Sequence, residues 1–201
     1  MGRREEKAQE TKSRLMKNAL QLFREKGYDM VTVEDITRAT AVAKGTFYSY
    51  FETKSDIIVE EFWKIDRYYQ DYASRNLKRY SRGAEKLRAF TRAQMRYVRD
   101  HVGVKNLKIL YANQILTSES NQVIIDPERQ WYQIIQDIIA GAQETGEFRN
   151  LQDPESLAVL FNRSMRSVFL DWCISDGELN LVNEGIRYCE EWLIPVLRSE
   201  P

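Results

Sequence analysis

Apolar residues recur at three- and four-residue spacing almost throughout this 201-residue chain, and no stretch alternates as a half-buried strand would. Leu15, Ala19, Leu22 and Phe23 mark one stripe of a first helix, from about Ala8 to Lys26, with Gly27 as its stop. Residues 1–7 are charged and expected to fray. Val33, Ile36 and Ala39 keep one apolar face on a short second helix. Thr32, with Asp35 three residues on, gives that helix a capping-box start, because the hydroxyl can accept from an orphan amide. After a turn near Thr40-Ala41, a third short segment buries Val42, Phe47 and Phe51. It leaves Lys44, Gly45, Thr46, Tyr48 and Ser49 on its other faces. Thr53 and Asp56 repeat the capping signal and open a long helix from Lys54 to about Ser81, marked by Ile57, Ile58, Ile65, Tyr68, Tyr69 and Tyr72.

Ser81-Arg82-Gly83 is the first convincing break. Beyond it, Leu87, Phe90, Thr91, Gln94 and Val98 predict a helix over 84–101, and after Gly103 a shorter one covers 106–116. Ser118-Glu119-Ser120-Asn121 reads as a polar loop. Asp126-Pro127-Glu128 and Asp153-Pro154-Glu155 look like one helix-start device used twice: an Asx cap, a proline at the first position, then an acid at the positive end of the dipole. The first predicts a helix to about Thr145 before Gly146, the second a helix to about Ser175 before Gly177. A last helix runs from about Leu179 to Arg198, bent or ended by Pro195. The fold class is all-α, and no repeat of solenoid length stands out.

Composition narrows the function classes. With 43% hydrophobic and 30% charged residues the chain is an ordinary folded one. Zero net charge argues against a wholly basic nucleic-acid binder. Residues 1–54, however, hold 11 Lys and Arg against 8 Asp and Glu, so a mildly basic head is joined to a mildly acidic body. Cys173 and Cys189 lack metal or redox spacing and read as buried structural thiols. The first residues contain no apolar leader and no run approaches a membrane span, which gives the expectation of a cytoplasmic protein without a membrane partner. There is one histidine, His101, and no phosphate-cradling glycine loop, nucleophile elbow or metal-ligand cluster. Glu60-Glu61 and Glu190-Glu191 are sequence neighbours and do not face each other on a helix. No enzyme, cofactor or metal is expected.

A short exposed helix of small, hydroxyl and cationic groups suits a DNA major groove. About nine residues at ~1.5 Å rise span ~13 Å, against a groove ~12 Å wide. The residues Thr32-Val33-x-Asp35-Ile36, Ala39, Val42, Lys44-Gly45-Thr46-Phe47-Tyr48-x-Tyr50-Phe51 and Lys54-x-Asp56 resemble the helix-turn-helix of the TetR family of bacterial transcriptional regulators. The likeness covers roughly residues 10–60. Two positions depart from the family pattern: Ala41 stands where a turn glycine is usual, and Ala43 where a capping serine is usual. The first carries strain if its φ is positive, and the second forgoes a cap contributing ~1 kcal/mol.

The resemblance implies a three-helix DNA-binding domain over 1–54, a linking helix over about 54–81, and a helical effector-binding and dimerisation domain over 55–201. Lys44 and Thr46 would meet base edges, Lys44 by donating to guanine O6 and N7. Gly45 would let the backbone approach, with Ser49 on the same face. Tyr48 and Tyr50 would pack on the sugar-phosphate, Tyr50 having a core place beside Phe51 as its alternative. Thr32 and Lys54 would fix phosphates at helix N-termini, and Arg38 would reach a base or the backbone. Arg3, Arg4, Lys7 and Lys12 are either phosphate contacts or solvated surface.

In such regulators the last two long helices pair with those of a second subunit. Here that assigns Phe161, Val168, Phe169, Trp172, Ile186, Cys189 and Leu193 to a homodimer contact, their alternative being the chain's own core. The family also holds an inducer among the middle helices, for which Gln94, Tyr97, Asn113, Trp131, Asn162 and Met165 set polar beside apolar groups and suit a planar aromatic or amphipathic molecule. The function implied is a repressor that binds a pseudo-palindromic operator in double-stranded DNA as a homodimer. A small-molecule effector would release it, the signal passing along the helix from Lys54. The alternative is an all-helical adaptor that keeps the motif without binding an operator.

Overall fold

The computed structural model describes residues 3–116 and 122–199; the Ser118–Asn121 loop reading lies outside the described residues. Every regular element among them is helical: α1 (Arg3–Lys26), α2 (Val33–Thr40), α3 (Lys44–Tyr48), α4 (Ser55–Asn76), α5 (Gly83–Tyr97), α6 (Val104–Leu116), α7 (Gln130–Glu144), α8 (Pro154–Ile174), α9 (Leu181–Tyr188) and α10 (Ile194–Arg198). The chain forms two compact units. The first is Met1–Trp63 with Lys108–Ile124, the second Lys64–Leu107 with Ile125–Pro201, so α4 and α6 each give residues to both.

The first unit closes around Leu15, Ala19, Leu20 and Phe23 of α1, Ile36 of α2, Phe47 and Phe51, and Ile57, Ile58 and Phe62 of α4. Phe47 and Phe51 meet with ring centroids 5.5 Å apart. Two details differ from the sequence pattern. Leu20 is buried while Leu22 is half-exposed, and on α2 Ala39 is exposed whereas Thr37 and Thr40 face inward. Thr40 can do so because its hydroxyl donates to the Ile36 carbonyl at 2.8 Å, so a polar residue enters the core with its hydrogen bond made.

In the second unit, glycine permits two close helix crossings. A Cβ at Gly83 would stand 2.5 Å from Ala142 Cβ of α7, and one at Gly185 of α9 would stand 2.6 Å from Met95 Cγ of α5. Asp153 caps α8 as the Asp-Pro-Glu pattern predicts, accepting from the Ser156 amide at 2.9 Å. The same pattern at Asp126 does not start α7. Asp126 instead bridges to the Glu128 amide in a turn, and α7 begins only at Gln130. The cap position belongs to Arg129, whose guanidinium is turned inward onto Asp66 of α4 at 2.8 and 2.7 Å. Those side chains are only 2% and 3% exposed. Pro195 neither ends nor breaks the last helical stretch. A wide π-type turn over Cys189–Leu193 precedes it and absorbs the missing amide.

Candidate nucleic-acid interface

The geometry of the turn follows from two alanines. Ala41 holds φ 57° and ψ 48°, the left-handed conformation that costs an L-residue roughly 1–2 kcal/mol. Ala43 stands at the N-cap of α3 and makes no side-chain cap bond. What keeps the turn in place comes from elsewhere. Thr32 and Asp35 form a complete capping box at the start of α2. At its end, Arg14 of α1 donates to the Thr40 carbonyl at 2.6 Å, and Asn18 donates to the Ala39 carbonyl at 3.2 Å. Side chains of α1 thus satisfy carbonyls that the end of α2 leaves open.

The α3 helix has five residues, so it spans about 7 Å, shorter than the sequence suggested. Phe47 turns inward, while Lys44, Gly45, Tyr48 and Ser49 are exposed and Thr46 and Tyr50 half-exposed. Tyr50 therefore lies between its two sequence readings. No atom lies within 4 Å of the position a Gly45 Cβ would take, so the chain's own packing does not require glycine there. Lys44 forms an ion pair with Glu34 of α2, and its ammonium lies 6.0 Å from the centre of the Tyr48 ring. The hydrogen bond from Lys44 holds the Glu34 carboxyl below its ordinary range and raises the Lys44 ammonium. Arg38 is exposed, 3.7 Å from Asp35.

Three of the cationic and hydroxyl groups near the motif have partners within the chain. The Lys54 ammonium donates to the carbonyls of Tyr28 at 2.8 Å and Val31 at 3.0 Å and lies 4.4 Å from the Tyr28 ring centre. An ammonium has three donors, and this one ties down the 28–31 loop ahead of α2. The Thr32 hydroxyl is spent inside its capping box, donating to Asp35 at 2.8 Å. Lys12 is held by Glu60 at 2.8 Å.

The residues assigned to an effector divide between the units. Asn113 belongs to the first, where its amide donates to Ser55 Oγ at 3.0 Å. The others belong to the second. There Tyr97 stacks on Tyr68 with centroids 3.9 Å apart. Gln94, Asn162 and Met165 are fully buried and Trp131 nearly so. Gln94, Asn162 and the Trp131 Nε1 have no hydrogen-bond partner in the protein, and the hydroxyl of Thr91, one turn before Gln94, faces only the Cys189 thiol. Each such orphan costs about 1–3 kcal/mol. Sequence reasoning passed over Thr91, although its i−3 spacing from Gln94 placed it on the same face.

Of the seven residues assigned to a subunit contact, five turn inward. Phe161, Val168, Phe169, Trp172 and Cys189 are buried within the second unit, while Ile186 and Leu193 are half-exposed. The apolar residues that α8 presents outward are Leu160, Leu170 and Ile174, the last 73% exposed; Trp192 at 63% and Val196 do the same near the C-terminus. The more apolar stripe of each helix fills the chain's own core, the alternative the sequence left open for these residues. The outward stripe is diluted by Arg163, Ser167 and Asp171.

Among the described residues no helix is long and apolar enough to cross a membrane, and no three metal-ligating side chains cluster. Residues 15–60 match the family of bacterial regulatory proteins named after tetR, and residues 80–183, just over half the chain, match the tetracyclin repressor-like C-terminal domain. The HTH-type transcriptional regulator LuxR of Vibrio harveyi is 26% identical over 180 residues, 89% of this chain and 87% of that protein. Among solved structures, Thermus thermophilus FadR, a TetR-family transcriptional repressor in complex with lauroyl-CoA, superposes with a TM-score of 0.72 at 19% identity, over 94% of this chain and 96% of that one. Bacillus subtilis FadR in complex with stearoyl-CoA gives 0.71 at 21%, over 93% and 97%. At these identities the structural likeness speaks for the fold. The two family matches together extend from the head through most of the body, and family membership is what bears out a non-catalytic role: the chain belongs to the TetR family of bacterial regulatory proteins and is a helix-turn-helix, DNA-binding transcriptional regulator.

Proposed function

We propose that this regulator is a repressor that binds a pseudo-palindromic operator as a homodimer and leaves it when a small molecule occupies the body. The division of labour we propose assigns DNA to residues 1–54 and effector and partner subunit to 55–201. The observation that carries the reading is the surface of α3. Lys44, Gly45, Tyr48 and Ser49 are exposed there, while the neighbouring Lys12, Thr32 and Lys54 are committed to holding the scaffold. Lys44 and Thr46 would meet base edges, Gly45 would admit the backbone, and Tyr48, Ser49, Tyr50 and Arg38 would line the sugar-phosphate. A single short helix reads few bases, so a two-fold pair doubles the site. The outward stripe of Leu160, Leu170, Ile174, Trp192 and Val196 is the surface we assign to the partner subunit. The repressor sense and the small-molecule response draw support from the FadR relatives, one described as a repressor and both holding acyl-CoA. α4, with residues in both units, is the covalent element through which an effector would shift the heads, to the extent that it binds the two states unequally.

Selection of genomic fragments by the purified protein, with footprinting at two salt concentrations, tests this. A two-fold-symmetric protected site, weakened by salt and lost in Lys44→Ala, is the expected result. A folded protein that protects no site at either salt refutes operator binding and leaves the adaptor reading.

A further inference from the structure

We propose that the body accepts an uncharged, planar ligand carrying a carbonyl together with N–H or O–H groups, held by Gln94, Trp131 and Asn162. This rests on the reading of the body as an effector domain and narrows the effector to a chemical class. Among the described residues, the buried side-chain polar atoms found without a partner belong to Gln94, Trp131 and Asn162, apart from the Thr91 hydroxyl, which faces the Cys189 thiol. Contacts between aromatic rings link three of these. Tyr69 of α4 touches Phe90 and Tyr97, which stand one turn either side of Gln94 on α5, at 5.6 and 6.3 Å between centroids. Tyr69 also touches Trp131 of α7 at 6.2 Å. Trp131 touches Phe169 of α8 at 5.9 Å, on the helical face that carries Asn162 and Met165. Protein interiors pair their polar groups, so two whole amides and an indole N–H without partners among rings point to a ligand of specific chemistry.

That chemistry can be read from the donors and acceptors. Gln94 and Asn162 each offer an N–H pair and a carbonyl, whereas Trp131 only donates. A ligand carbonyl would satisfy the donors, and the two amide oxygens call for an N–H or O–H in return. The orphaned atoms themselves are all uncharged, and the buried charges Asp66 and Arg129 already neutralise each other, so a neutral ligand matches them best. A saturated acyl chain would leave the orphaned atoms unpaired. The rings of Tyr69, Trp131 and Phe169 favour a flat molecule.

The test uses the full-length protein without DNA, so its outcome does not depend on operator binding. Calorimetry and thermal melting would compare 2-quinolinone, a neutral aromatic lactam, with 2-naphthoate, an anion of similar size, and with lauroyl-CoA. The lactam is expected to bind at least tenfold more tightly than naphthoate and to raise the melting temperature. Gln94→Met and Asn162→Leu should each weaken it about tenfold or more, yet melt at or above wild type when unliganded, because they remove unpaired polar atoms. Preference for naphthoate or lauroyl-CoA, unaffected by Asn162→Leu, overturns the ligand class and leaves the effector domain standing. Failure of all three probes overturns the ligand class. Lower melting of both variants without lactam binding makes the amides structural and also overturns the proposal.

Discussion

At the scale of single residues, the exposed face of α3 is restrained by its own neighbour. Glu34 pairs with the lysine proposed to meet bases, so phosphates and guanines must compete with a carboxylate already in place. Glu34→Gln is expected to tighten operator binding severalfold in fluorescence anisotropy, by freeing Lys44 and removing a like charge from the approach of DNA. Gly45→Ala separates folding from function. With open space around the missing Cβ, alanine should stabilise the head by about 0.5–1 kcal/mol through helix propensity, while operator affinity falls tenfold or more if DNA backbone fills that space. Cys189 gives a pH signature. Burial pushes its thiol up to about 11 from an ordinary 9.0. A raised pKa means the folded state keeps the proton longer, so the associated stability is full below about pH 9 and is lost as pH rises toward 11. Urea denaturation of wild type and Cys189→Ala should diverge over that window by about 2–3 kcal/mol.

At the scale of elements, helix ends decide the head. Ala41→Gly removes left-handed strain and Ala43→Ser restores a cap; the serine should add about 1 kcal/mol, seen as roughly fivefold slower amide hydrogen exchange across α3. Exchange unchanged in both variants would show that the α1 fastenings at Arg14 and Asn18 already set the local stability. The positions of these ends were legible in the sequence wherever the signal was local. The Thr32–Asp35 box and the Asp153 cap involve residues three apart, and both formed as the pattern implied. Signals that long-range partners override were not legible. Asp126 repeats the motif of Asp153, yet the start of α7 is set by Arg129 reaching Asp66, a partner 63 residues away. Nothing in the sequence around Lys54 reveals the Tyr28 and Val31 carbonyls it holds. Periodicity found the apolar stripes of α8 and α9 but could not say which stripe a helix keeps for itself.

At the scale of the molecule, that distinction becomes an experiment on assembly. Leu170→Lys and Trp192→Glu change exposed residues and should yield folded protein that sediments as a monomer and binds operator at least tenfold more weakly. Phe169→Lys places a charge in the core and should destabilise the fold itself, by several kcal/mol. Folded dimers from the first two variants would place the partner contact elsewhere. The Asp66–Arg129 pair sets a limit of a different kind. Removing either member strands the other as a buried charge, a loss of about 3–5 kcal/mol from a domain whose whole stability is of order 5–15. A lineage therefore cannot drift away from this arrangement one codon at a time, unless stabilising changes elsewhere have come first. Positions 66 and 129, far apart in the gene, are bound to be inherited, and to change, as one character.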